Sequence, residues 1–167
     1  MKKLILGVAV CALTAVTAAA QAPAGDVAAP IRTFIDAFNK GDMAGAAATH
    51  AIGPDLVIID EVPPFTWHGA DGFKAWAAAL DTESKKAGMT DQKVTISAPT
   101  RTELSGDTAY VVVPAVYTFT LKGAAMRESA QITCVLKKGA SGWLIAGWTW
   151  TGPKPAAAKT APAPAKK

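Results

Sequence analysis

The sequence predicts an α+β domain: a curved, mostly antiparallel sheet of about six strands wrapped, cone-like, around three helices in the N-terminal half. Three observations carry this. Apolar residues recur at helical spacing before Gly88 and at alternate positions after it. Helical and strand patterns are therefore segregated along the chain. The longest alternating stretch, Thr108 to Leu121, contains Pro114, which cannot donate to a ladder and predicts a bulge or bend that curves the sheet.

The elements follow in order. Val27, Ile31, Phe34, Ile35 and Phe38 share one helical face. Asp26 is expected to cap that helix and Gly41 to end it, with Pro30 weakening the first turn. Asp42 then caps a short Ala-rich helix running to His50. The segment Asp55 to Asp60, DLVIID, is too uniformly apolar for a half-exposed strand. Pro63-Pro64 breaks it, and FTWHG forms a short return strand. A third helix runs from Ala70 to Ala87, burying Phe73, Trp76, Ala77 and Leu80, and Gly88 stops it. Lys93 to Leu104 reads as one weakly alternating strand. Thr108–Leu121, Ala125–Lys138 and Trp143–Thr151 complete a meander, joined by glycine-containing turns.

The long strand is apolar on both faces. Ala109, Val111, Val113, Ala115, Tyr117 and Phe119 lie on one side, and Tyr110, Val112, Pro114 and Val116 on the other. Helices can cover one side. A second subunit is the simplest cover for the other, so a homodimer through the sheet face is expected.

The two ends read differently. Lys2 and Lys3, the apolar run Leu4 to Val16 and Ala18-Ala19-Ala20 form a signal-peptide pattern over residues 1–20, with Ala20-Gln21-Ala22 a second cleavage option. A periplasmic or secreted protein is expected. Residues 21–152 form the single domain. Residues 153–167, rich in Pro, Ala and Lys, read as a disordered tail, capable at most of weak electrostatic contact with anionic envelope surfaces. The whole chain carries +4, but the lysines of the two ends account for more than that, and the body is net −2. Without a basic patch in the body, nucleic acid is not an expected partner. Cys134 is the one cysteine beyond the leader, so no internal disulfide can form. It reads as a buried small hydrophobe.

The stretch Ile58 to Leu80 holds the candidate site. Asp60 and Glu61 end an apolar strand beside aromatic residues, which is how a ligand cavity acquires a polar group. As strand neighbours they are expected to point to opposite faces, with Asp60 inward as a candidate general base. His68 is the second candidate catalytic residue, next to Trp67 at the same junction. Trp148 and Trp150 share a face, and either line the open end of the cone or form the outer sheet face in a dimer. Tyr117 is a further lining candidate, since its hydroxyl would need a partner inside. Two histidines without matching carboxylate spacing make no metal site. No Gly-rich phosphate loop, nucleophile elbow or helical zinc motif occurs, and no cofactor is expected.

Five pieces together resemble the nuclear transport factor 2-like superfamily, which includes SnoaL-like polyketide cyclases and ketosteroid isomerases. These are the first helix ending in NKGD, the DLVIID strand, the WHGADGFKAW junction, the SGDTAYV turn and strand, and the closing GWLIAGWTW. The resemblance spans Val27 to Gly152. It implies the cone fold and places Asp60 where the isomerases hold their general base. It also implies departures. The first-helix tyrosine that donates to the oxyanion is replaced by Phe34, and the protonated aspartate of the penultimate strand falls near Thr133 or Cys134. Losing one such donor costs on the order of 10²–10³ in rate, so steroid isomerisation is not expected.

The expected function is binding of a small, mostly apolar molecule in the cone, with Phe34, Trp67, Tyr117, Thr133, Trp148 and Trp150 as lining residues. Two alternatives stay open. One is a cofactor-independent isomerase, cyclase or dehydratase using Asp60, and the other a protein-interaction module with a filled core.

Overall fold

Three amphipathic helices have their apolar stripes to bury, and one long curved sheet receives them. The computed structural model describes residues 25–158. The expected signal peptide and the tail past Ala158 lie outside the described residues. In chain order the elements are α1 (Ala29–Asn39), α2 (Met43–Ala48), β1 (Val57–Ile59), β2 (Thr66–His68), α3 (Gly72–Ala87), β3 (Met89–Ile96), β4 (Arg101–Ser105), β5 (Thr108–Leu121), β6 (Ala124–Gly139), β7 (Gly142–Thr151) and β8 (Ala156–Ala157).

Helix α1 buries Ile31, Phe34 and Ile35. Its N-cap is Ala28, not Asp26. The Asp26 carboxylate instead accepts from the Ala28 N–H at 3.1 Å and pairs with Arg32. Pro30 sits in the first turn, where a missing N–H leaves no hydrogen bond unmade. Asp42 caps α2 as expected, accepting from the Gly45 N–H at 2.8 Å. Gly88 closes α3 in the left-handed conformation, φ 73°.

The sheet runs β2-β1-β7-β6-β5-β3, with β4 also on β5 and β8 on β6. Strand β1 is parallel to β7, and every other pairing is antiparallel. Three expectations need correction. The stretch read as one strand, Lys93 to Leu104, is two, broken around Pro99, and both pair with the same edge of β5. Pro114 makes no bulge, for its pairing with Gln131 keeps the β5–β6 register unbroken. Its carbonyl accepts from Ser97, so its nitrogen faces the same edge, in the gap between the β4 and β3 ladders where no donor is needed. The register shifts lie elsewhere, between Thr90 and Lys93 on β3 and between Val135 and Leu136 on β6. They supply the curvature that Pro114 was expected to give.

The third correction concerns the tail. Strand β7 pairs with β6 only from Gln131 onward, which leaves the edge of β6 open at Met126 and Arg127. Ala157 and Ala156 pair with those residues, and Ala158 N–H donates to Ala125 at 2.8 Å. The first part of the segment read as a disordered tail is thus a strap covering an open edge.

The core lies between the helices and the inner sheet face, around Ile31, Ile58, Val111, Val113, Ile132 and Leu136. Cys134 is fully buried there, and desolvation pushes its thiol up to about 12. Among the described residues nothing covers the outer face. His68, Val57, Gly147, Val135 and Tyr110 form one row across it. Tyr110 and Val135 remain 38% and 39% exposed.

Candidate functional site

The curvature leaves the wide end of the cone unfilled. A cavity of about 410 Å³ opens there, between α1, α3 and the inner faces of β5, β6 and β7. Phe34 forms its floor. The ring is 3% exposed and packs against Trp76, Trp148 and His50 with centroids 6.0, 5.7 and 5.0 Å away. Where the isomerase comparison places a hydroxyl, this chain has an apolar plug at the narrow end. The plug fills the base and leaves the space above it open.

Asp60 faces the cavity. It follows β1 and is held from two sides, Trp76 Nε1 donating to Oδ2 at 2.6 Å and the Glu61 backbone N–H to Oδ1 at 2.7 Å. Burial raises its pKa, and these two hydrogen bonds oppose the rise. Glu61 lines the cavity as well, contrary to the expectation that only one of the pair could. Strand pairing ends at Ile59, so strict alternation no longer governs the two side chains. The Glu61 carboxyl is also raised, by burial and then by the charge of Asp60.

The sequence reading missed Glu128. It lies on the inner face of β6, opposite Tyr117, and is 2% exposed. Trp150 Nε1 donates to its Oε1 at 2.7 Å. Burial raises its pKa, the Trp150 hydrogen bond lowers it, and the charges of Glu61 and Asp60 raise it further. Gly152 makes room for this carboxylate, since a Cβ there would overlap Oε1. A signal was present. The turn at Lys122-Gly123, with φ 49° and 85°, is the tight hairpin that sets Leu121 opposite Ala124 and hence Tyr117 opposite Glu128.

Tyr117 lines the cavity as expected and donates its hydroxyl to Gln92 Oε1. Gln92 lies in the irregular stretch of β3 between Thr90 and Lys93. Burial, then the charges of Asp60 and Glu128, pushes the Tyr117 pKa up. Trp148 and Trp150 both line the cavity. Trp148 is fixed from behind by His50, whose Nε2 lies 3.1 Å from the indole Nε1. His50 Nδ1 lies 3.0 Å from the Ala46 carbonyl. The ring is thus a neutral tautomer that donates at Nδ1 and accepts at Nε2. Desolvation lowers its pKa to about 4, with the Ala46 bond opposing.

Three expected site residues lie elsewhere. His68 is on the outer sheet face, exposed, 2.8 Å from Thr66 Oγ1. It stands in register with Val57, whose parity is opposite to that of inward-facing Ile58. Trp67 is buried on the inner face, against the start of α3, away from the cavity wall. Thr133 is on the outer face, between Val112 and Thr149, because inward parity on β6 belongs to Ile132 and Cys134. Counting by family spacing chose the wrong parity there. Of the expected residues, the structure gathers Asp60, Phe34, Tyr117, Trp148 and Trp150 at one cavity.

The SnoaL-like domain family matches residues 27–149. The chain belongs to this family. Similar solved structures agree with the fold. A ketosteroid isomerase-like protein from Erwinia carotovora atroseptica is 22% identical, with a TM-score of 0.58 over 77% of this chain and 95% of that one. A nuclear transport factor 2-like superfamily protein from Salmonella enterica is 17% identical, with a TM-score of 0.62 over 84% and 94%. A type 2 hexachlorocyclohexane dehydrochlorinase is 16% identical, with a TM-score of 0.60 over 82% and 93%. A sequence comparison with curated proteins finds no match. At these identities the likeness is one of fold, and the function of this SnoaL-like domain has to be argued from its own cavity.

Proposed function

We propose that this SnoaL-like domain is a periplasmic or secreted binding protein for a small, mostly apolar molecule carrying a polar group. The observation that carries the reading is the roughly 410 Å³ hollow, walled by aromatic and aliphatic side chains with carboxylates at fixed points. That volume suits a small organic ligand, and a few placed polar groups in an apolar wall are the usual composition of such a site. Two copies pair through the outer sheet face, covering Tyr110, Val112 and Val135. The signal-peptide pattern of residues 1–20 supports export to an envelope compartment.

A second reading is favoured by one observation. Asp60 is held by two donors at the wall of an apolar cavity with its pKa raised, which is what a general base for proton transfer at carbon requires. The dehydrochlorinase of similar fold lends this reading context.

The test is a titration with N-phenyl-1-naphthylamine, a neutral apolar fluorophore, followed by energy transfer from tryptophan. Saturable binding with one site per chain, lost in a cavity-filling Leu80→Trp variant, is expected. Equal binding to wild type and Leu80→Trp would remove the cavity from the account. Asp60→Asn separates the two readings, because a binding protein keeps its ligand while an enzyme loses turnover.

A further inference from the structure

Resting on the binding reading above, we infer that the cavity is built for an organic cation, a protonated or quaternary amine on an apolar body. What each polar group facing the hollow has left to offer decides which ligand chemistry fits. The side-chain donors of the aromatic and hydroxyl residues are engaged. Trp76 Nε1 donates to Asp60, Trp150 Nε1 to Glu128, Trp148 Nε1 to His50, and the Tyr117 hydroxyl to Gln92. Ser84, also on the wall, donates to the same glutamine at 3.3 Å. None of these is free to receive a carbonyl, a carboxylate or a developing enolate.

The unfilled capacity is of the opposite kind. Glu128 is 2% exposed and faces the cavity, and among the described residues only Trp150 donates to it, at Oε1. Its Oε2 receives no hydrogen bond from a described residue. That oxygen keeps its acceptor capacity open to a donor in the hollow. Asp60, Glu61 and Glu83 add three further carboxylates to the same wall, Glu83 pairing with Lys86. Among the described residues Lys154 is the wall's one basic side chain and its one unpaired donor, but it is exposed, and four carboxylates stand against its single charge. The carboxylates do not converge as a metal site, for no three described acidic, histidine or cysteine side chains are close enough to hold an ion. They are spread around an aromatic box instead. Phe34, Trp148 and Trp150 line the hollow, and an aromatic ring attracts a cation through its quadrupole. A positive head among separated carboxylates, with its apolar body against the rings, satisfies both halves of the wall.

The test compares benzyltrimethylammonium with its uncharged carbon isostere, neopentylbenzene. The two have the same shape and differ in one charge. Both are titrated into the purified protein and read by quenching of tryptophan fluorescence, since three indoles line the cavity. The cation is expected to bind at least tenfold tighter than the isostere. Glu128→Gln should cut that preference severalfold. Should Glu128→Gln fold poorly, Glu61→Gln, at an exposed position, is expected to act in the same direction. Equal or tighter binding of the isostere overturns the cation inference while leaving the cavity reading intact. Binding of neither at millimolar concentration overturns the cavity reading, and the inference with it. A preference for the cation that survives both variants also overturns it, because the charge would then be recognised elsewhere.

Discussion

Trp76 Nε1 lies 2.6 Å from Asp60 Oδ2, and this bond joins the buried face of α3 to the residue just past β1. It explains how a carboxylate stays at the wall of an apolar hollow. Trp76 packs against Trp148 with ring centroids 5.0 Å apart and nearly perpendicular. The indole therefore cannot turn away without disturbing the floor of the cavity. The same device recurs at Trp150 and Glu128. Asp60 and Glu128 are each held by a tryptophan that also forms wall.

The carboxylates make stability fall as pH rises. Asp60 and Glu128 have folded pKa values above their unfolded ones, so the native state binds protons more tightly. That contribution is complete below the ordinary carboxylate range and is lost as pH climbs through the raised values. Asp60→Asn and Glu128→Gln should each be more stable than wild type at pH 8, with the difference shrinking or reversing near pH 4. Urea unfolding at both pH values checks this. A variant less stable than wild type at pH 8 would show that the charged form is favoured by the fold.

His50 acts with the opposite sign. Its pKa of about 4 lies below the ordinary imidazole value of 6.5, so the unfolded chain takes the proton more readily and stability is lost as pH falls between those values. The loss amounts to on the order of 3 kcal/mol over that window. His50→Gln, which keeps an acceptor for Trp148, should flatten the acid limb of the stability profile. An unchanged limb would exclude His50 as its source.

The strap that ends in β8 forms one side of the cavity, through Lys154 and Pro155. Deleting residues 153–167 should leave the fold intact, because β8 adds only a short pairing to β6. It should speed dissociation of a bound apolar probe severalfold in stopped-flow displacement. Unchanged dissociation would mean that the ligand leaves by another route.

Sedimentation of the protein at micromolar concentration should give twice the mass of one chain. The double change Tyr110→Glu and Val135→Glu places like charges directly opposite each other on the outer face and should give monomers. A monomeric wild type would contradict pairing through that face.

Much of the fold was legible in the chain. Helix α3 is bounded by Gly88, and β5 starts and ends where alternation does, between the turns at Gly106 and Gly123. The site was half legible. Asp60, Tyr117 and Trp148 could be read from an apolar strand end and from parity. Glu128 was not, since a charged residue in the polar run Arg127 to Ser129 reads as solvent-facing until the hairpin register puts it opposite Tyr117. His68 looked functional through its neighbours in sequence, but one step along a strand reverses the face. The strap depended on an edge of β6 that becomes visible only once β7 is known to stop short.

The most direct test of the account is a ¹³C NMR titration of the Asp60 side-chain carboxyl, assigned by comparison with Asp60→Asn and repeated with a saturating neutral cavity probe. The account predicts a pKa above the ordinary aspartate range and a carboxyl shift that moves when the probe binds. An ordinary aspartate titration, indifferent to the probe, would place Asp60 outside the cavity and contradict the central claim.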